Sequence, residues 1–161
     1  MNFREKSVMF LATGCFIGNI PFAPGTFGTI LGLPLCFLLS KTNFSIAVFL
    51  TAIFIIFAIL IAHNAEKILK KDDPGCIVID EIAGLMVALF GLPFNVIYTS
   101  AGFAIFRFFD ILKPFPIRLI ERKLSGGTAI VMDDVAAGIC ANLVLRVLLF
   151  TVSCFHPFVL S

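Results

Sequence analysis

The sequence has little charge and few polar aromatic residues. It has no tryptophan, one tyrosine and two histidines in 161 residues, and only 14% of its residues are charged. A soluble domain usually has roughly a quarter of its residues charged. This scarcity of charge, with a hydrophobic share of 60% and a mean hydropathy of +1.07, excludes an ordinary soluble domain and indicates an integral membrane protein. The net charge of +2 is too small to indicate a nucleic-acid partner.

The cysteine patterns of metal sites and redox motifs are also missing. The five cysteines form no CxxC pair and have no histidine at ligand spacing, so we interpret them as small hydrophobic residues. Cys140 and Arg146 have the Cys-x5-Arg spacing of cysteine-dependent phosphatases. The residues between them are apolar and include no glycine, so the phosphate-binding loop of those enzymes is not expected here.

Long apolar segments are what the sequence does contain. Residues 44–62 carry no charge and are long enough for a membrane helix. Residues 135–155 are interrupted only by Asn142 and Arg146, which are four residues apart and therefore share one helical face, predicted to point inward. Residues 77–92 and 94–112 meet at a Gly-Leu-Pro step, which predicts a helical hairpin.

The amino-terminal region predicts an interrupted element. Residues 7–18 and 27–40 are apolar but short, and residues 19–26 between them contain two prolines and a glycine that rule out a continuous helix. Non-helical backbone at membrane depth persists only where protein or a wet cavity satisfies it. We therefore predict a broken or re-entrant segment that lines a cavity, with Thr26 capping the helix that follows.

These segments together predict an all-α fold: one membrane-embedded domain over residues 1–161, built as a polytopic helical bundle with about five membrane segments. In that topology the basic residues fall in three tracts on one side of the membrane, which should be the cytoplasmic side. The tracts are Arg4 and Lys6; Lys67, Lys70 and Lys71; and Lys113, Arg118, Arg122 and Lys123.

The acidic residues are concentrated at the ends of the apolar segments. Five of the ten lie in three short steps: Asp80 and Glu81 opening the third helix, Asp110 closing the fourth, and Asp133 and Asp134 opening the last. A charged side chain in the middle of a membrane helix costs about 2.5–3.5 kcal/mol, so acids retained there indicate function. Carboxylates that converge on one layer repel one another unless a cation neutralises them, and Mg²⁺ prefers such oxygen ligands.

Basic residues beside these acids predict phosphate binding. Arg107, Asp110 and Lys113 follow one another at intervals of three residues and can face one site. Two cations next to a metal ion would hold a phosphate group. The turn at residues 24–26 could add backbone N–H donors at a helix start, where anions are favoured.

Structural roles remain open for several of these residues. Asp133 and Asp134 could simply cap the last helix, where acids are stabilising. Asp110 could pair with Arg107 or Lys113, and Glu81 could lie outside the metal's ligand set. Other polar residues are predicted to have no catalytic role: Glu66, Asp72 and Asp73 in a solvated loop from which Glu66 could still reach the site, and His63 and His156 at the interface.

Four blocks of the sequence, residues 19–29, 73–84, 106–117 and 132–138, resemble in order the signature blocks of the phosphatidylglycerophosphatase A family. The resemblance implies a Mg²⁺-dependent phosphatase of the bacterial inner membrane. Such an enzyme removes the terminal phosphate of phosphatidylglycerophosphate to give phosphatidylglycerol. The polar residues that match the blocks are Thr26, Asp80, Glu81, Arg107, Asp110, Lys113, Asp133 and Asp134.

We therefore expect a catalytic site on the cytoplasmic side of a multi-pass protein, with the lipid substrate and membrane lipids as partners. Asp80, Asp110 and Asp134 would hold one or two Mg²⁺ ions. Thr26, Arg107 and Lys113 would bind the substrate phosphate, and Glu81 or Asp133 would orient or deprotonate the attacking water.

Two other classes of function stay open at this stage. A small ion-coupled transporter would also use acids inside the membrane, but it would place them near the midplane rather than at helix ends. A scaffold without catalytic activity would leave the charged clusters without a purpose.

Overall fold

The structure is a computed structural model that describes residues 1–71 and 73–155, without the side chains of residues 152–155. Over these residues the chain forms seven α-helices and no strand, which confirms the all-α prediction. A 3₁₀ turn at Ile17–Asn19 lies between the first two helices. The helices are α1 (Phe3–Ala12), α2 (Pro24–Ser40), α3 (Phe44–Leu69), α4 (Ile79–Ala88), α5 (Val96–Leu112), α6 (Ile117–Lys123) and α7 (Gly127–Phe155).

Helix α7 is the centre of the bundle and packs against α3, α4, α5 and α6. It meets α4 through backbone, because a Cβ atom added to Gly138 would overlap the carbonyl oxygen of Gly84. Asp80 and Asp134 lie four residues before these two glycines on α4 and α7. The two helices run in the same direction, so this contact places one acid of each helix a turn away from it, on the same side.

The predicted break near the amino terminus is confirmed. Residues 13–16 and 20–23 lie outside the helices, and Cys15, Phe16 and Ala23 have positive φ angles of 57°, 70° and 47°. The end of α1 is tied to the start of α4 by a hydrogen bond in which the Val78 N–H donates to the Ala12 carbonyl at 2.9 Å. Protein therefore satisfies part of the backbone that the break leaves open.

Helix α2 begins three residues before the expected position. Pro24 is its first residue, Ala23 is the N-cap, and no side chain caps it. The prediction that Thr26 caps this helix is therefore wrong: Thr26 lies inside the first turn. Proline suits the first helical position because its fixed φ is already helical and its missing N–H would have no partner there.

Several predicted boundaries also differ. Helix α3 continues seven residues beyond the apolar segment, so His63 and Glu66 lie on a helix and not in a polar loop. Helix α7 begins at Gly127, so Asp133 and Asp134 lie well inside it. The prediction that these two acids open the last helix is therefore wrong, and so is the alternative that they cap it. Helix α6 has no counterpart in the prediction.

Two of the described helices, Phe44–Leu69 and Gly127–Thr151, are long and apolar enough to cross a membrane. Helix α3 turns large apolar side chains outward, with Phe49 64% and Ile56 59% exposed, which suits a lipid-facing surface. Helix α2, at Pro24–Ser40, is a shorter apolar helix, and α4 has only ten residues. The helix lengths therefore do not confirm the prediction of about five membrane segments, which stays a prediction.

A polar pair on α7 holds the far end of α4. The Asn142 side-chain amide donates to the carbonyls of Val87, Ala88 and Phe90 at 3.3, 2.9 and 2.9 Å. Arg146 donates to the Asn142 side-chain oxygen at 2.7 Å and to the Phe90 carbonyl at 2.9 Å. Asn142 thus faces inward as predicted, while the exposed Arg146 reaches back over it. The final carbonyls of a helix have no partner within the helix, and this pair supplies one.

Candidate active site

The acidic steps come from three helices that meet at one end of the bundle. Asp80 and Glu81 are the second and third residues of α4. Asp134 lies on α7 beside them, and Asp110 lies in the last turn of α5. The sequence-based expectation that these separate stretches converge is confirmed for α4 and α7, whose acids form one group.

Asp80, Glu81 and Asp134 each offer a carboxylate oxygen, and these oxygens lie within 4.8 Å of one another. Asp80 and Asp134 are buried, with 8% and 3% of their surface exposed. One buried oxygen of each of the three residues has no hydrogen-bond partner among the residues that the structure describes: Asp80 Oδ1, Glu81 Oε2 and Asp134 Oδ2. Buried carboxylates without partners are costly and repel one another. The donor set therefore fits a hard divalent cation such as Mg²⁺.

Arg107 lies at the edge of this acidic cluster. Its guanidinium pairs with Asp110 on the same helix and lies 3.9 Å from the Glu81 carboxylate. Its buried Nε–H has no partner among the described residues. Asp110 also lies close enough to Asp134 to interact with it, but the carboxylate of Asp110 is engaged by Arg107. Asp110 therefore sits beside the three-carboxylate group rather than in it.

The start of α2 closes the same site. A Cβ atom on Gly25 would overlap the Glu81 carboxylate and come within 2.9 Å of the Arg107 guanidinium. The N–H groups in the first turn of a helix lack partners within the helix and favour anions. Thr26, half-buried, is the next residue of this turn. Gly25 belongs to the turn at residues 24–26 that was predicted to offer backbone N–H donors, but its close approach to Glu81 and Arg107 was not predicted.

Lys113 occupies a different position from Arg107. Its ammonium donates to Glu121 on α6 at 2.9 Å and to Asp133 on α7. Partial burial disfavours the charged ammonium, but these two carboxylates outweigh it and raise the pKa of Lys113 above its usual range. The other oxygen of Asp133 accepts the Asp134 backbone N–H at 3.0 Å. Asp133 is therefore fully partnered, in contrast to Asp134.

A cavity of about 310 Å³ opens beside Asp133. Its lining includes four carboxylates, from Glu66, Asp73, Glu121 and Asp133. Glu66 thus reaches the neighbourhood of the site, as the alternative interpretation allowed. Glu121 was missed because the short helix that carries it was not predicted. The predictions for Asp72 and His156 lie outside the described residues.

Comparison with known proteins identifies the chain's relatives. The family model of phosphatidylglycerophosphatase A matches residues 10–149. The chain belongs to the phosphatidylglycerophosphatase A family. It is 35% identical over 130 residues to phosphatidylglycerophosphatase A of Escherichia coli strain K12, which covers 80% of this chain and 76% of that one. It is 39% identical over 140 residues to the Haemophilus influenzae protein of the same name, with 86% of each chain covered.

Another family relative carries a different name. A protein of Bacteroides thetaiotaomicron, provisionally named as a phosphatidylinositol-3-phosphatase, is 35% identical over 146 residues, or 86% of this chain and 91% of that one. No solved structure matches the chain. The resemblance seen in the four sequence blocks is thus confirmed, and the chain is a phosphatase.

Proposed function

We propose that this phosphatase hydrolyses the terminal phosphate monoester of phosphatidylglycerophosphate in phospholipid biosynthesis and requires Mg²⁺. The observation that carries the proposal is the group formed by Asp80, Glu81 and Asp134. Within the described part of the chain, each has a buried oxygen without a partner, and beside them Arg107 has a buried N–H without one. Acceptors and a donor thus lack partners at the same place, and a cation bound together with an anionic phosphate would satisfy both.

Asp80, Glu81 and Asp134 are the proposed metal ligands. The sequence-based assignment of Asp110 as a ligand stays a prediction, and the geometry favours Glu81 because Asp110 is paired with Arg107. When bound, the ion would polarise the phosphate oxygens and lower the pKa of a coordinated water.

Arg107 and the first turn of α2 are the proposed phosphate-binding groups. Arg107 presents its guanidinium in an orientation fixed by Asp110, and charge-assisted hydrogen bonds of this kind hold phosphate oxygens well. Water attacks the phosphorus, and the bond from phosphorus to the glycerol oxygen breaks. Glu81 or Asp133 takes the proton from the water, and the glycerol oxygen receives a proton as it leaves; Asp133→Asn tests the second assignment without removing a proposed metal ligand.

We place the site on the cytoplasmic side of the bacterial inner membrane, in a multi-pass protein. Arg4, Lys67 and Lys70 line one cavity of about 490 Å³, so the first two basic tracts share an end of the bundle. Lys113, in the third tract, bonds Asp133 at the acidic cluster. Positive residues concentrated at one end favour the cytoplasmic side for that end. An impermeant thiol reagent should therefore reach Cys76 from the cytoplasmic side, and labelling only from outside would contradict this orientation.

Phosphate release from phosphatidylglycerophosphate, with Mg²⁺, with EDTA and after Mg²⁺ is restored, tests the proposal. We expect release that EDTA abolishes and Mg²⁺ restores. Asp80→Asn should lose it, while Glu5→Gln, on an exposed acid of α1, should keep it. Release that EDTA does not affect would overturn the metal requirement. No release by the wild-type protein would overturn the proposed substrate and would favour the alternative of an ion-coupled transporter.

The Bacteroides relative makes phosphatidylinositol 3-phosphate the second substrate to measure. Both relatives named phosphatidylglycerophosphatase A support the glycerol headgroup, so we expect the larger kcat/KM for phosphatidylglycerophosphate. A larger value for the inositol lipid would reassign the substrate while leaving the site and its metal requirement in place.

A further inference from the structure

A basic pocket is lined in part by Lys113, the partner of Asp133, and has no part in the chemistry proposed above. It encloses about 260 Å³ and is formed by the end of α5, the connection to α6 and the outer face of α6. We call it the α6 pocket. Its lining residues are Lys113, Pro114, Phe115, Arg118, Leu119 and Arg122.

The α6 pocket combines positive charge with exposed apolar surface. Ile117 anchors the inner face of α6 and is fully buried. On the outer face, Arg118 and Arg122 are exposed and four residues apart, and neither forms an ion pair with any side chain that the structure describes. Phe115 is 83% exposed beside them. Basic residues next to exposed aromatic surface are typical of segments that lie at an anionic lipid headgroup.

Lys113 connects this pocket to the acidic cluster. It lines the α6 pocket, and its ammonium bonds Asp133, the neighbour of Asp134 in the chain. The cavity on the other side of Asp133 is lined by carboxylates and would repel a phosphate. Compared with this acidic cavity, the α6 pocket has the positive charge that a second phosphate needs.

The substrate of the proposed function has two phosphates. One is the terminal monoester that is removed, and the other is the phosphodiester that joins the headgroup to the diacylglycerol. A single glycerol separates them, so a protein that holds the monoester at the acidic cluster must place the diester close by. We propose that the α6 pocket binds this phosphodiester, with Arg118 and Arg122 donating to its free oxygens and Phe115 lying beside the glycerol and acyl chains. The inference rests on the proposed function and names the residues that select a lipid substrate.

Kinetics in neutral detergent micelles test the pocket, because no other anionic lipid is then present. We expect Arg118→Gln with Arg122→Gln to raise KM for phosphatidylglycerophosphate about tenfold and to change kcat less than about twofold, as two charged hydrogen bonds outside the reacting centre are lost. The inhibition constant of phosphatidylglycerol, which has only the diester, should rise by a similar factor. That of inorganic phosphate should not change.

Lys123→Gln is the matched control, because Lys123 is exposed on the same helix and does not line the pocket. An equal rise in KM for Lys123→Gln and Arg118→Gln would indicate general surface charge and overturn the proposal. Unchanged phosphatidylglycerol inhibition in the double variant would also overturn it, as would an equal rise in the inhibition constant of inorganic phosphate. Thermal unfolding of each variant checks that the fold is intact.

A failure of the proposed function would be recognised separately. If the wild-type protein released no phosphate from phosphatidylglycerophosphate, direct binding of phosphatidylglycerol to wild-type protein and to the double variant, measured by native mass spectrometry, would still test the pocket. Weaker binding by the double variant would support it, and equal binding would overturn it.

Discussion

Helix α7 carries two polar sites that face α4, Asn142 with Arg146 and Asp134 alone, and they differ in how completely their polar atoms are satisfied. At the far end of α4, Asn142 donates to three carbonyls and accepts from Arg146. At the near end, Asp134 faces two further acids of α4 and retains a buried oxygen without a partner. Both sites interrupt an apolar helix. Only at the second do buried carboxylate oxygens lack a hydrogen-bond partner among the described residues.

This difference separates a structural polar cluster from a functional one. A satisfied buried network rigidifies the fold, whereas an unsatisfied one costs stability until something binds. Polar residues in apolar helices are thus not equivalent signals of function. Whether a polar residue has a structural or a functional role depends on whether the protein itself supplies its hydrogen-bond partners. Four substitutions test this distinction.

The largest effect on activity is expected at the unsatisfied end. Asp134→Asn should reduce kcat by about a thousandfold, as removal of groups that stabilise transition-state charge does. The folded protein should be as stable or more stable, because one of three repelling charges is gone. Thermal unfolding with and without Mg²⁺ should show stabilisation by the ion in wild type only. Mg²⁺ stabilisation of the variant equal to that of wild type would remove Asp134 from the ligand set.

Arg107→Lys is expected to have the next largest effect. Lysine keeps the charge but loses the planar group that can pair with Asp110 and donate to a ligand together. We expect kcat/KM for the lipid substrate to fall about a hundredfold. Arg4→Lys, on the exposed amino-terminal helix, is the control that should change nothing. Full activity in Arg107→Lys would show that a point charge is sufficient at this position.

Gly25→Ala should have a smaller effect on the same site. The added methyl group would collide with Glu81 and Arg107, so both must shift. We expect about a tenfold loss of kcat/KM, the scale of a small misplacement of catalytic groups. Gly75→Ala is the matched control, because a Cβ atom there meets no atom of the described residues within 4 Å. Equal activities of the two variants would exclude a tight contact between α2 and the site.

Asn142→Leu should have the smallest effect on activity and a clear effect on stability. Three carbonyls lose their donor, and we expect a cost of about 1–3 kcal/mol in the free energy of unfolding. The turnover of the folded fraction should stay within about twofold of wild type. Asn64→Leu is the control, because the Asn64 amide bonds a carbonyl of its own helix rather than a neighbouring one. A thousandfold loss of turnover in Asn142→Leu would show that a polar residue with all its partners in the protein can also be essential for activity.

Local sequence features predicted most of the helices, the amino-terminal break and the convergence of acids, but not α6 or the exact helix ends. Hydropathy marks where apolar residues stop, whereas α3 continues through Glu66 because its last turns remain good helix formers. Helix α7 begins early for a tertiary reason. Gly126 has a φ of +64°, and a Cβ atom on Gly127 would overlap the backbone of His63, so two glycines let α7 start against α3.

The pairing of charges was harder to predict than their location. The spacing predicted that Arg107, Asp110 and Lys113 share one helical face, but it did not predict which acid each basic residue pairs with. Lys113 pairs with Asp133 and Glu121. Glu121 lies on a seven-residue helix, which is too short to give a recognisable hydrophobic periodicity in the sequence. Partner choice depends on distances between helices, which a single sequence does not contain.

The backbone contact between Gly84 and Gly138 sets how closely the acids of α4 and α7 approach each other. With no side chain on either residue the two helices meet backbone to backbone, and the gap between carboxylate oxygens of Asp80 and Asp134 is no more than 4.8 Å. Mg²⁺ binds oxygen at about 2.0–2.1 Å and Ca²⁺ at about 2.3–2.6 Å. A methyl group at position 84 would meet the Phe106 ring and the Asp134 carbonyl and widen that gap. The discrimination between small and large ions would then be a property of two glycines that never touch the metal.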